Sequence, residues 1–260
     1  MRGSDGVAIG TVTEGVGTPL LLVHGGMRTA VSWTSLWPLL TTRYRVTAMD
    51  RRGRGTSGDA PEYAGEREFD DVAAVARHVA GPGGAVDGSV DVLAHSIGAV
   101  FALGAAGRGA PIRRMLLCEP PGPPTQSRAQ LDQGVAWIAD GQAGRALVAF
   151  LIEVIGLDPA TITAMRDTPL AAEALTVFTA TFAREGEFLQ TVDLAALARG
   201  VTAPVHFLVG AESPAWAAAV TRTLVATLPG AGVTLVPGHG HDVVDTAPEL
   251  VVDALAAFLA

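Results

Sequence analysis

The chain of 260 residues contains a single cysteine, Cys118. A disulfide needs two, so no intrachain bridge holds this fold together. Positive charge is also short. Eighteen basic residues stand against 26 acidic ones, a formal net charge of −8, which argues against nucleic acid or an anionic membrane as a partner. No apolar run approaches the length of a membrane span, and residues 1–13 carry no apolar core of a secretory signal. A cytoplasmic protein is the expectation. Charged residues make up only 17%, while hydrophobic residues make up 49%, the composition of a globular chain with a large core. The 31 glycines and 16 prolines are spread between apolar runs and read as turns, not as disorder. The length suits one domain with a sizeable insertion.

What the sequence has in place of bridges and spans is a repeated pattern. Residues 7–13 alternate apolar and small polar side chains, as an edge strand does. Leu20-Leu21-Leu22-Val23 is wholly apolar, the mark of a strand covered on both faces, and it stops at His24-Gly25-Gly26. Residues 29–42 show helical spacing, and 46–49 a second buried strand ending in Asp50-Arg51-Arg52-Gly53-Arg54-Gly55-Thr56-Ser57-Gly58. Residues 69–80 are helical by spacing. Residues 90–93 form a strand that meets Ala94-His95-Ser96-Ile97-Gly98, followed by a helical stripe. Met115-Leu116-Leu117-Cys118 is a further strand, closed by Glu119-Pro120-Pro121. Strands alternating with helices predict an α/β fold, a mostly parallel central sheet with helices on both faces. From about 120 to 200 the alternation breaks and only helix and connector are expected. It resumes with strands at 205–209 and 233–236, helices at 214–228 and 248–260, and the loop Pro237-Gly238-His239-Gly240-His241-Asp242.

Ser96 sits where strand turns sharply into helix between small residues, which such a turn requires sterically. Taken together, the loops at His24-Gly25-Gly26, Asp50 to Ser57, Ala94 to Gly98 and Gly238-His239-Gly240-His241 resemble, in order and spacing, those of the α/β-hydrolase superfamily. The likeness covers nearly the whole chain. It implies an α/β-hydrolase fold with core segments 1–119 and 201–260 and a helical cap at 120–200. It further implies Ser96 as nucleophile, His241 as base, and an oxyanion hole built from the backbone of Ile97 and of Gly26 or Met27. His239 is the competitor for the base. His95 is expected to pack beneath the serine, and His78 and His206 to be structural.

The acid is where the sequence departs from the pattern. In Gly210-Ala211-Glu212-Ser213 the family's aspartate place holds Ser213. Glu212 is one residue off. Glu119 ends the preceding strand, where some members of the superfamily carry their acid, and it is favoured, with Glu212 as the alternative. The run 50–58 lacks the lysine and spacing of a phosphate loop and reads as a turn pinned by hydrogen bonds between Asp50 and its arginines. Cys118, inside a strand, is a poor nucleophile.

The expected activity is serine hydrolysis of an ester, thioester or lactone with an apolar acyl part, without cofactor or metal, in a monomer or homodimer. The rivals keep the fold. One is a non-hydrolytic cyclase or lyase, or a carbon–carbon bond hydrolase, acting on a secondary metabolite. The other is a ligand-binding member that has lost turnover.

Overall fold

The computed structural model describes residues 1–81, 87–166 and 168–260. Seven strands form one sheet: β1 Thr11–Glu14, β2 Thr18–Val23, β3 Tyr44–Met49, β4 Val90–His95, β5 Ile112–Cys118, β6 Val205–Gly210 and β7 Gly232–Val236, in the order β1-β3-β2-β4-β5-β6-β7. β1 runs antiparallel to β3; every other pairing is parallel. The helices are α1 Trp37–Leu40, α2 Gly65–Val79, α3 Ile97–Gly107, α4 Arg128–Ala139, α5 Ala143–Phe150, α6 Pro159–Met165, α7 Pro169–Thr191, α8 Leu194–Arg199, α9 Ala215–Thr227, α10 Val243–Thr246 and α11 Pro248–Leu259.

The wholly apolar strands are explained by the two layers they serve. Along β2, Leu21 and Val23 join the core that also holds Phe69, Val100, Phe101 and Leu224, from α2, α3 and α9. Leu20 and Leu22 point the other way, onto Trp33, Leu36, Leu40, Val252 and Leu255. A strand with a period of two and apolar neighbours on both sides has no position for a polar side chain.

Two expected elements differ in extent. The edge strand begins at Thr11 because residues before it are tied to the 50–58 loop: Gly58 N–H donates to Ala8 O, and Gly10 N–H to Ser57 Oγ. The expected helix over 29–42 is a 3₁₀ turn, Ala30–Trp33, followed by the short α1. Pro38 lies in the first turn of α1. It has no N–H to continue a helix from Thr34, so it starts a new one.

Between β5 and β6 the described residues form helices and turns only. Leu131, Ala146, Phe178 and Phe182 make a small core of their own there, with Met27 packed against it. α8 packs on α3 and α9, and its Leu194 and Ala198 belong to the core beside the sheet.

This topology fixes where a site can form. From β2 the chain passes to β3 on one side, whereas β4 lies on the other. The loops after β2 and β4 therefore leave the sheet in different directions and open a crevice between them. His24 to Arg28 follows β2, and Ser96 follows β4.

Candidate active site

Ser96 joins β4 to α3 with φ 54° and ψ −133°. So tight a turn needs glycine where the neighbouring backbone closes in. A Cβ on Gly98 would meet the carbonyl oxygens of Val23 and His24, and one on Gly25 would stand 2.9 Å from the Ser96 Cβ. Among the described residues, three that are not glycine have positive φ: Met27, Ser96 and Glu119. All three lie at this crevice. Backbone strain held in one place by surrounding structure is a mark of a functional constellation.

His241 stands in the loop after β7, buried, with its ring between two partners. Nε2 is 3.1 Å from Ser96 Oγ, and Nδ1 is 2.7 Å from Glu119 Oε2. A carboxylate only accepts hydrogen bonds, so Nδ1 carries the proton and Nε2 presents its lone pair to the serine hydroxyl. The other Glu119 oxygen accepts from Gly210 N–H at 2.6 Å and from the Ser213 hydroxyl. Ser213 therefore occupies the usual aspartate place as a donor to the acid from the neighbouring strand. Glu212 is exposed, and its backbone N–H donates to His239 O at 3.0 Å. His239 pairs elsewhere, with Nδ1 3.0 Å from Thr246 Oγ1.

His95 packs behind this line. Its ring centroid is 4.9 Å from that of His241, and its Nε2 donates to His241 O at 3.0 Å. Burial, and then the nearby His241, depress its pKa well below the ordinary value. Trp216 meets the His241 ring edge-on at 5.1 Å and donates its indole N–H to Val154 O at 2.8 Å. It ties the His241 ring to the helical segment, a contact that its place on an alanine-rich helix does not advertise. His206 pairs with Thr234 on the neighbouring strand, and His78 lies exposed in the last turn of α2.

Gly26 and Met27 follow the β2 strand, and Ile97 opens α3. The N–H groups of all three have no protein partner among the described residues. Donors of this kind beside a serine suit the oxygen of a carbonyl under attack. A cavity of about 240 Å³ lies among α4, α5 and α7, lined by Gln130, Trp137, Phe150, Val154 and Phe182 among others; Ser96 is not among its walls.

The 50–58 loop is built differently from the expectation. Among the described residues, the Asp50 carboxylate takes no arginine. It accepts from Ala30 N–H at 2.7 Å and from the N–H and hydroxyl of Thr56, each at 2.8 Å. The arginines turn to more distant carboxylates. Arg51 donates to Glu68 and Glu185, Arg52 to Asp71 and Asp5, and Arg54 to Glu185. Arg51, Arg52 and Arg54 are all fully or almost fully buried, so the local sequence could not satisfy them alone.

The fold is that of a hydrolase family. The sequence model of the alpha/beta hydrolase family matches residues 20–254, and the chain belongs to that family. The chain is similar over its full length to an alpha/beta hydrolase from Sphaerobacter thermophilus, with 30% identity, a TM-score of 0.85 and 99% of that chain covered. It is 27% identical to the 2-(acetamidomethylene)succinate hydrolase of Mesorhizobium japonicum, over 97% of this chain and 94% of the relative. A further likeness, 34% identity, links 41% of the chain to 39% of the N-formylmaleamate deformylase of Pseudomonas putida.

Proposed function

We propose that the protein hydrolyses an acyl bond through Ser96, His241 and Glu119. The observation that carries this reading is the unbroken hydrogen-bonded line from Ser96 Oγ through the His241 ring to Glu119. Serine is a weak nucleophile until a base takes its proton. Here Nε2 accepts that proton as Oγ attacks the carbonyl carbon. Glu119 holds Nδ1–H, fixing the tautomer and stabilising the imidazolium that forms. The oxygen, now negative, is received by the N–H of Ile97 and that of Gly26 or Met27. His241 then returns its proton to the leaving group; water, deprotonated by the same nitrogen, attacks the acyl carbon, and His241 gives that proton to Ser96 Oγ as the acid departs.

The substrate class is an ester, thioester or lactone with an apolar acyl part. The apolar lining of the helical segment supports it: Met27, in the loop after β2, packs against the cluster that holds Leu131, Ala146, Phe178 and Phe182. In this reading the helices between β5 and β6 act as a cap that excludes water. A second reading, cleavage of a carbon–carbon or amide bond in a small carboxylate by the same residues, is favoured by the likeness to the Mesorhizobium hydrolase, which covers almost the whole chain.

Labelling with a fluorophosphonate tests the shared chemistry, because only an activated serine reacts. The wild type should label and Ser96→Ala should not, while keeping the wild-type melting transition. Ordinary turnover by Ser96→Ala would overturn both readings. Rates on p-nitrophenyl esters of graded chain length, set against small acylamino acids, separate the first reading from the second.

A further inference from the structure

Gly25 lies directly between the buried charges and Ser96. Its carbonyl oxygen accepts two hydrogen bonds, from His24 Nδ1 at 2.8 Å and from Arg51 Nη1 at 3.1 Å. The His24 tautomer is itself set by Arg51, whose backbone N–H donates to His24 Nε2 at 3.1 Å. Burial, and then the nearby Arg51 and Arg54, hold the His24 pKa well below its ordinary value, so the ring keeps one donor and one acceptor. In a trans peptide the C=O of one residue and the N–H of the next point in opposite directions. Two donors that hold the Gly25 oxygen on one side therefore turn the Gly26 N–H to the other. That N–H is a candidate oxyanion donor without a protein partner, and the Gly25 Cα stands against the Ser96 side chain.

Arg51 is in turn held from two directions. Glu68, on α2, takes its Nε and Nη2, at 2.9 and 2.8 Å. Glu185, on α7 of the helical segment, takes Nη2 as well and also receives Arg54. The second oxygen of Glu185 reaches the same loop, 3.4 Å from where a Cβ on Gly26 would stand. Two guanidiniums and two carboxylates balance in charge, as a buried cluster must. Burial lowers the affinity of Arg51 for its proton, but Glu68 and Glu185 outweigh that and raise it.

We propose that Arg51, clamped by Glu185 of the helical segment, is a positioning residue that aims the Gly26 N–H at the oxyanion, so that seating of this segment and readiness of the oxyanion hole are one event. The inference rests on the serine-hydrolase reading. Glu185→Gln keeps the side chain's volume but leaves Glu68 as the negative partner that Arg51 and Arg54 must share, so the charge that ties them to the helical segment is gone. It should slow fluorophosphonate labelling of Ser96 roughly tenfold to a hundredfold, since donors held out of place lose most of their worth. The inhibition constant of phenylboronic acid, whose serine adduct places a negative oxygen in the same hole, should rise by a comparable factor. KM for a p-nitrophenyl ester should move by less than about threefold. Arg51→Lys, which cannot serve Glu68, Glu185 and Gly25 together, should repeat the effect, and Glu185→Asp should recover part of it.

Arg184→Gln is the control. It breaks a neighbouring contact of the same helix, to Asp59 at 2.7 Å, and should leave both quantities at wild-type values. Measurements are made below the melting transition of each variant. Wild-type labelling and boronate affinity in folded Glu185→Gln and Arg51→Lys would overturn the proposal. Equal losses in Glu185→Gln and Arg184→Gln would also overturn it, in favour of general docking of the helix. A wild type that does not label removes the hydrolase reading itself, and this inference with it.

Discussion

Two buried glutamates, Glu119 at the end of β5 and Glu185 on α7, reach the residues around this crevice and are held by opposite means. Glu119 is surrounded by neutral donors: a backbone N–H, a hydroxyl and an imidazole. Its negative charge is hydrogen-bonded but uncancelled; in the proposed mechanism it stabilises the positive charge that appears on His241. Glu185 meets two guanidiniums. Burial pushes its carboxyl pKa up, but Arg54 and Arg51 more than reverse this and hold it below the ordinary value. A carboxylate so paired is spent on fastening one element to another. The partner decides the role: neutral donors keep a buried acid reactive, and arginines turn it into a clamp.

Removing the charge on the Glu119 side should have the largest effect. Glu119→Gln still offers an oxygen to Gly210 and Ser213, but where it presents an amide N–H to His241 it disfavours the tautomer that Ser96 needs. Turnover should fall about 10³–10⁴-fold with a small change in melting temperature. Steady-state kinetics and a thermal melt check both.

A smaller loss follows from thinning the neutral shell. Ser213→Ala removes one donor and should cost about tenfold in kcat. Glu212→Gln, one residue away and exposed, should stay within about twofold. Equal effects from the two would break the contrast between a supporting serine and a bystander.

The smallest effects appear in stability against pH. His24 and His95 have pKa values depressed in the fold, chiefly by burial. The unfolded chain binds their protons near pH 6.5. Below that value the unfolded state holds more protons than the folded one, so stability is full above about pH 6.5 and declines as pH falls. Glu185, also depressed, adds a second decline below about pH 4.5. Melting temperatures measured from neutral to acidic pH should show both windows, and the lower one should flatten in Glu185→Gln.

These two sides also differ in how far the sequence reveals them. Glu119 is legible because it ends an apolar strand and precedes two prolines, a place where a solvated carboxylate has no business. Ser96 and His241 are legible because a tight turn and a glycine-rich loop constrain the residues beside them. Glu185 gives no such sign. It sits inside a 23-residue helix among other polar positions, and its partners lie more than 130 residues earlier. Arg51 and Arg54 are visible as a cluster, but their local carboxylate, Asp50, is the wrong one. It is consumed by the backbone of Ala30 and by Thr56. Local pattern reports strand ends and turns well. It does not report which long-range partner a buried charge finds, because that depends on how the helical segment docks.

The lone cysteine gains a meaning from where it lies. Cys118 is fully buried on β5, between β4 and β6, one residue before Glu119. Burial and the adjacent Glu119 both push its thiol pKa up, so it is unreactive as long as the centre of the sheet stays closed. Alkylating reagents can reach it only when those strands part. The rate at which one equivalent of thiol reagent is consumed therefore clocks the opening of the sheet beneath the candidate active site, with no second thiol in the chain to blur the count.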